Sequence, residues 1–487
     1  MKKLIISLSI AVIVLGACQK KVTDIPQPNT LTPELIFNSA DRMDAAVAGA
    51  YDALQSPNFL SGRALIYIDL QGEDVVDKNL FFGTLPRFDM LASNAIPAGV
   101  WDAGYDAIAR ANRAAAGISA NATLVDATTV KALIAETKFV RAVAHFYLVN
   151  FFAQPYSFTA NAAHPGVPII TENFTSNDPA ANKPRASVAE VYSQIIQDLN
   201  DALADLPEAQ STTYRSKTRA IKAAAAAILS RVYLYMGDYA NAKTFAGNII
   251  AGQYGNFALN TSPADAFGPG RYETDETIWS IPNNVNDNPN TNNALPQHYS
   301  EFGRSDLAVS PSFTKASTNP YFTVDDKRRD MIEAGTTAGN TGFNFTTKYP
   351  DVTTRADWAP IIRYAEVLLT YAEATARLAA DVDADAVAKL NLVRNRAIVS
   401  AAPYSVADFA DKTELINAIL GERRIELAFE GHRYFDLQRI KADITNKLDG
   451  DLSPLPVQPF GSEKRVFPIP QPEVDKSLGT LIQNPGF

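Results

Sequence analysis

Glu422, Glu426 and Glu430 stand four residues apart, which on a helix places three carboxylates along one face. Two carboxyl groups roughly 5 to 10 Å apart are what glycoside hydrolysis requires. Arg423, Arg424 and Arg433 are interleaved with them, so the row reads as a charge network joining the helix to its neighbours. The four histidines, His145, His164, His298 and His432, are scattered, and none has the spacing of a zinc ligand pair. His145 lies among Phe146 and Tyr147 and reads as a packed, hydrogen-bonded core residue. Asp381, Asp383 and Asp385 alternate as in a calcium loop, but Ala386 and Leu392 occupy the positions that need glycine and glutamate. No strained serine elbow or phosphate-cradling loop occurs. The residues assemble no enzyme, and no cofactor or metal is expected.

Binding chemistry is better represented. Apolar faces of a ligand stack on aromatic rings, while its hydroxyls need planar donors and acceptors. Two loops combine both kinds. The first, from Gly72 to Gly99, holds Asp74, Asp77, Phe81, Phe82, Arg87 and Asn94; the second holds Asn283, Asn284, Tyr299, Phe302 and Arg304. The competing reading is that these aromatics only seal loops onto a frame. Trp101 is assigned to helix packing, Trp279 to a short strand, and Trp358 to the entry of a helix starting at Pro360.

The frame that must carry these loops is helical. Within 487 residues, 46% hydrophobic and 20% charged with net charge -9, composition indicates an ordinary globular chain and argues against a nucleic-acid or anionic-membrane face. Ile221, Ala224, Ala225, Ile228, Val232 and Tyr235 recur at helical spacing, Gly237 breaks the run, and Ala240 to Ile250 restarts it. The stretch from Ser230 to Ile250 looks like one tetratricopeptide unit. Further helices are expected from Trp101 to about Ser119, over Val130–Phe152 and Val188–Leu206, from Pro360, over Leu390–Ile398, and from about Thr413 to Phe429. Glu373 and Arg377 read as an exposed ion pair. Between residues 252 and 358, Gly, Pro and Asn accumulate and periodicity disappears, so short strands at most are expected there.

The N-terminus has its own grammar. Lys2 and Lys3 precede an apolar run from Leu4 to Leu15, and Leu15-Gly16-Ala17 leads into Cys18, the single cysteine. This is the pattern of a lipoprotein export signal, too short to span a bilayer. Residues 1–17 are read as the signal, Cys18 as the lipidated residue, and 18–29, with Pro26 and Pro28, as a tether.

Together these motifs resemble the SusD/RagB family of nutrient-binding outer-membrane lipoproteins. The segments carrying the resemblance are FVRAVAHFYLVNFFAQPYS, AIKAAAAAILSRVYLYMGDYANA, IIRYAEVLLTYAEA, GERRIELAFEGHRYFDLQR and the closing FPIPQPEVDKSLGTLIQNPGF. They occur in the family's order. The resemblance implies an all-α fold: a frame of four tetratricopeptide units over about 30–251 and 359–440, a loop-rich ligand-binding region over about 252–358, and a tail over 441–487, all within one domain spanning 30–487. It also implies a SusC-type TonB-dependent transporter as partner, and surface capture of an oligomeric nutrient without catalysis, a glycan foremost. A peptide-binding RagB-type member and a hydrolase on a helical frame stay open as alternatives. Family ligand sites commonly draw on the loop before the Trp101 helix. Gln19-Lys20-Lys21 after Cys18 departs from the acidic residues that often mark surface display, so outward exposure rests on the resemblance alone.

Overall fold

The computed structural model describes residues 36–174 and 182–487. The signal over 1–17, Cys18 and the tether over 18–29 lie outside the described residues. Helices run in chain order as α1 Ala40–Leu54, α2 Arg63–Gln71, α3 Ala95–Ala120, α4 Ala127–Phe152, α5 Val188–Asp205, α6 Thr213–Thr218, α7 Lys222–Met236 and α8 Tyr239–Ile250. After the loop-rich region, which holds α9 Leu295–Tyr299 and α10 Pro311–Thr314, come α11 Tyr364–Leu378, α12 Ala384–Ala397, α13 Lys412–Glu426, α14 Arg433–Arg439 and α15 Gln471–Lys476. Among the described residues no helix is long and apolar enough to cross a membrane.

The helix ends follow their capping residues. The Asp126 carboxylate accepts from the Thr128 and Thr129 amides at 3.1 and 2.9 Å, and Ser187 forms a reciprocal box with Glu190. Gly237 ends α7 at φ +78°, a conformation that costs a side-chain-bearing residue, and Asp238 caps α8 directly after it. Neighbouring helices pack in series: α3 on α4, α4 on α5, α7 on α8, α8 on α11, and α11 on α12. The run Ala223–Ala227 is wholly buried, and its small side chains let the backbones of neighbours approach. At Gly104 a Cβ would come within 2.8 Å of the Leu148 side chain, so α3 and α4 meet closely there.

Six short strands complete the described residues. β1 Val75–Asp77, β3 Leu307–Val309, β5 Asn344–Thr346 and β4 Ile332–Ala334 form one antiparallel sheet in that spatial order, with Asp77 opposite Leu307. β2 Thr277–Ile281 pairs with β6 Ala359–Arg363. The expectation of a helix starting at Pro360 is corrected here: Pro360 pairs with Ser280, and α11 begins only at Tyr364. Ala359-Pro360-Ile361-Ile362 is buried on both faces, a pattern that fits a covered strand as well as a helix turn. Trp279 packs its ring on Phe139 at 4.9 Å, and Trp101 packs on Phe152 at 5.0 Å. All three tryptophans are buried.

Beneath α11, α13 and α14 the interior is ionic. Arg231 pairs with Glu366 at 2.6 Å, Arg423 reaches Glu366 and Asp436, and Arg439 joins Asp436 to Glu373 at 2.7 Å each. The expected Glu373–Arg377 pair forms at 2.8 Å, but it is not exposed: Glu373 is fully buried and shared with Arg439. The Glu422, Glu426 and Glu430 row is likewise interior, engaged by Arg328, Arg363, Arg396 and Lys348. Burial alone would raise the Glu430 carboxyl; Arg363 and Lys348 outweigh it and hold the group below its ordinary range. These glutamates fasten α13 and the turn after it to β6, α12 and the loop-rich region.

Candidate functional site

Pairing of β1 with β3 brings the two candidate loops together at their roots. Where loop one leaves β1 and loop two enters β3, the Lys78 amide donates to the Asp306 carbonyl at 2.8 Å. Asp77, buried at the end of β1, accepts from the Phe81 and Phe82 amides at 3.0 and 2.7 Å and so folds loop one back on itself. Leu80 takes φ +54° to make the turn, and Ser305 in loop two takes φ +51°. Left-handed residues of this kind persist only where the surroundings hold them.

Asp306 is the tie between the loops. Its carboxylate receives Arg304 Nε at 2.8 Å and Asn79 Nδ2 at 3.2 Å, and lies 2.9 Å from His298 Nδ1. Burial works to raise this carboxyl, and the hydrogen bonds from His298, Arg304 and Asn79 overcome it and hold the group below the ordinary aspartate value. Asp77 lacks a comparable set: burial pushes it up to about 6 against the two loop amides.

Above this buried tie sits an exposed patch. Phe82 faces inward onto Tyr67 and His298, while Phe81 lies edge-on to Phe82 at 5.0 Å and keeps 37% of its surface exposed. The Arg304 guanidinium is 4.3 Å from the Phe81 ring centroid and that of Arg63, from the start of α2, is 5.5 Å away. Both arginines also hold Asn292: Arg63 Nη2 donates to its carbonyl at 3.0 Å, and Arg304 Nη1 to its side-chain oxygen at 3.2 Å. Phe302, 67% exposed, is the most open aromatic ring among the described residues. A third loop, the turn between β4 and β5, is docked alongside. Glu301 accepts from the Thr336 amide at 2.7 Å, and Lys78 donates to the Gly339 carbonyl at 3.3 Å. The other end of the asparagine-rich segment that holds Asn292, residues 283–293, borders a polar groove of about 240 Å³ lined by Asp52, Gln55, Asp106, Arg110, Asp287 and Asn288. A hollow of about 980 Å³ against α1 and α3 touches none of the expected residues.

Of the residues expected from sequence, the structure sets Arg304 against exposed Phe81, and exposed Phe302 stands two residues from Arg304 in the same loop. Five are turned inward, which corrects their expected role as ligand-facing groups. Asp74 receives Arg424 Nε at 2.9 Å, and Asp77 and Phe82 build loop one from within. Asn283 accepts from Ser61 and donates to the Asp357 carbonyl, at 2.9 Å each. Tyr299 donates to Asp69 at 2.6 Å. Three more stand apart from the patch in local roles: Arg87 pairs with Asp449 at 2.8 Å, Asn94 caps α3 through the Ile96 amide, and Asn284 shapes a turn through the Asn286 and Asp287 amides. Sequence reasoning passed over Arg63, Lys78, Asn79, Asn292, His298 and Asp306. The crowding of Tyr299, Phe302, Arg304 and Asp306 within eight residues was the signal available for the last of these.

Comparison with known proteins places this architecture. A family model described as starch-binding associating with outer membrane matches residues 23–234, and the SusD family model matches residues 323–487. The chain belongs to the SusD/RagB family. SusD-like protein P2 of Formosa agariphila is 27% identical, with 94% of each chain covered, and SusD-like protein P38 of the same organism is 24% identical over 91% of each. A SusD superfamily protein of Bacteroides fragilis superposes with a TM-score of 0.79 at 26% identity, covering 91% of this chain and 99% of that one. Another from Bacteroides thetaiotaomicron, at 23% identity, shares the fold with a TM-score of 0.79. The all-α frame with short strands is thus the SusD frame, and the Phe81 patch lies where three of its loops converge.

Proposed function

We propose that this SusD-family chain binds a saccharide at the Phe81–Phe302 patch, without chemical change, and passes it to a SusC-type TonB-dependent transporter. The carrying observation is exposed Phe81 set beside the planar donors and acceptors of Arg63, Arg304 and Asn292, with exposed Phe302 two residues from Arg304 in the same loop. Rings offer stacking surfaces for C–H faces, and the amides and guanidiniums match hydroxyls in direction. A structural neighbour titled a laminarin binding SusD-like protein, 23% identical with a TM-score of 0.71, supports the same reading by its fold. Lipidation at Cys18, anchoring at the outer membrane and display at the cell surface complete the proposal, supported by the sequence pattern and by the description of the matching family model.

Peptide capture is less well supported. Arg87, Arg304 and Asp74 do not converge, since Arg87 is tied to Asp449 and Asp74 to Arg424. Hydrolysis finds no support in the glutamate row, which is buried and ion-paired. The test is a panel of polysaccharides and peptides screened for binding by the purified protein, with calorimetry on the best saccharide and an assay for released reducing ends. Saccharide binding that weakens in Phe302→Ala, with no reducing ends released, is expected. Binding of peptides alone would overturn the proposal.

A further inference from the structure

The carboxylates around the patch already have partners, and two of its cations lack a counter-ion. The carboxylates are turned inward or saturated: Asp306 by three partners, Asp77 by two backbone amides, and Glu301 by Thr336 and Thr337. The cations Arg63 and Lys78 are half-buried. Neither forms an ion pair among the described residues; Lys78 donates to the Asn79 side chain and the Gly339 carbonyl and lies 5.6 Å from the Phe343 ring centroid. Arg63 is the more telling of the two. Its Nε is buried without a hydrogen-bond partner; of the two terminal nitrogens, Nη2 donates to the Asn292 carbonyl at 3.0 Å and Nη1 reaches the Tyr67 hydroxyl only at 3.5 Å, so each keeps a further N–H to offer. A guanidinium with spare donors and no counter-ion stands beside an exposed ring, on a chain whose net charge is -9.

A neutral sugar laid over Phe81 would strip water from Arg63 and return only hydroxyl hydrogen bonds, leaving the desolvated charge uncompensated. An anionic group would supply the missing counter-charge, and the guanidinium fork matches carboxylate and sulfate oxygens in pairs. We propose that the saccharide bound at this patch is anionic, bearing uronate carboxylates or sulfate esters, and that Arg63 is the residue selecting it. The inference rests on the saccharide reading above and narrows it.

The test is affinity electrophoresis of the purified protein through polygalacturonate, alginate and a sulfated galactan, with laminarin, starch and xylan as neutral counterparts and poly-glutamate as a non-saccharide anion. Calorimetry follows on the best acidic hit and on its carboxyl-reduced or desulfated derivative, at low and high salt. Binding to an acidic glycan is expected, lost on neutralising the glycan, weakened by salt, and reduced roughly tenfold in Arg63→Gln but less in Arg63→Lys. The uronate and sulfate arms identify which anion is taken. An unchanged melting temperature in Arg63→Gln separates lost recognition from lost folding. Neutral glycans bound equally well by wild type and Arg63→Gln would overturn the anionic inference while leaving the saccharide reading standing. Binding of poly-glutamate alone, or of no saccharide, would overturn both.

Discussion

Replacing Asp306 with asparagine should loosen two loops at once. Its carboxylate meets Arg304 of loop two, Asn79 of loop one and the His298 ring at 2.8, 3.2 and 2.9 Å, and it is buried. An amide keeps one accepting oxygen but presents an N–H₂ to a cluster that consists of donors, and it removes the counter-charge of Arg304. Hydrogen bonds to charged groups contribute about 1.5–3 kcal/mol each, and breaking a buried ion pair costs about 3–5 kcal/mol. Arg304 is partly exposed and water recovers some of its share, so about 3 kcal/mol is the expected local loss. The helical frame does not pass through these contacts, so the loss appears as local opening, with amide exchange faster by roughly a hundredfold. Hydrogen exchange read by mass spectrometry should show this in peptides covering 78–88 and 290–306, and not in α11 or α13. Acceleration confined to one loop, or spread evenly over the chain, would refute the idea that Asp306 ties the two together.

Phe302→Ala should leave the unfolding midpoint unchanged, because the ring is mostly in solvent, yet weaken saccharide binding by about 1 kcal/mol, roughly fivefold, in calorimetry. Glu366→Ala leaves Arg231 without a counter-ion in the interior and Arg423 with Asp436 alone, and should lower stability in urea by about 3–5 kcal/mol, while pairing it with Arg231→Met should recover part of that loss; equal losses in the single and double variants would contradict the reading. Burial pushes Asp69 up to about 8 despite the hydrogen bonds from Tyr299 and the Gly431 amide. Its folded value lies above the unfolded one, so folding takes up a proton and stability falls as pH rises from about 4 to about 8. Asp69→Asn should remove that slope, by up to about 1.4 kcal/mol per pH unit, in denaturation curves collected across the range. Asp436 shows the opposite sign: burial would raise it, Arg423 and Arg439 hold it down to about 2, and its contribution, present above about 4, is lost as pH falls towards 2. Acid titration of Arg439→Met, which removes one of those partners, should lose part of this steep region.

Much of the frame was legible because helical periodicity is a local signal. Val130–Phe152 and Val188–Leu206 foretell α4 and α5 within a few residues, since each apolar stripe has a capping residue close before it. The strand at Ala359–Arg363 was not legible, because five covered residues carry no period and the partner strand lies some eighty positions earlier. The candidate site was legible in kind and not in orientation. An aromatic beside asparagines marks a loop able to bind, but whether Asp74 or Tyr299 points out depends on Arg424 and Asp69, which lie 350 and 230 residues away. Arg63 carries no motif at all; only the folding of the asparagine-rich segment across α2 gives it a role.

The bond from Arg424 to Asp74, and those from Lys447 to the Leu70 and Gly72 carbonyls, join the first hundred residues to the last. A chain leaving the ribosome in order exposes Glu73 and Asp74 long before Arg424, Arg433 and Lys447 are synthesised. Premature termination anywhere before Lys447 therefore yields a polypeptide that cannot seal its interior, however many of its helices have formed. Completion of the interior is deferred to the end of translation.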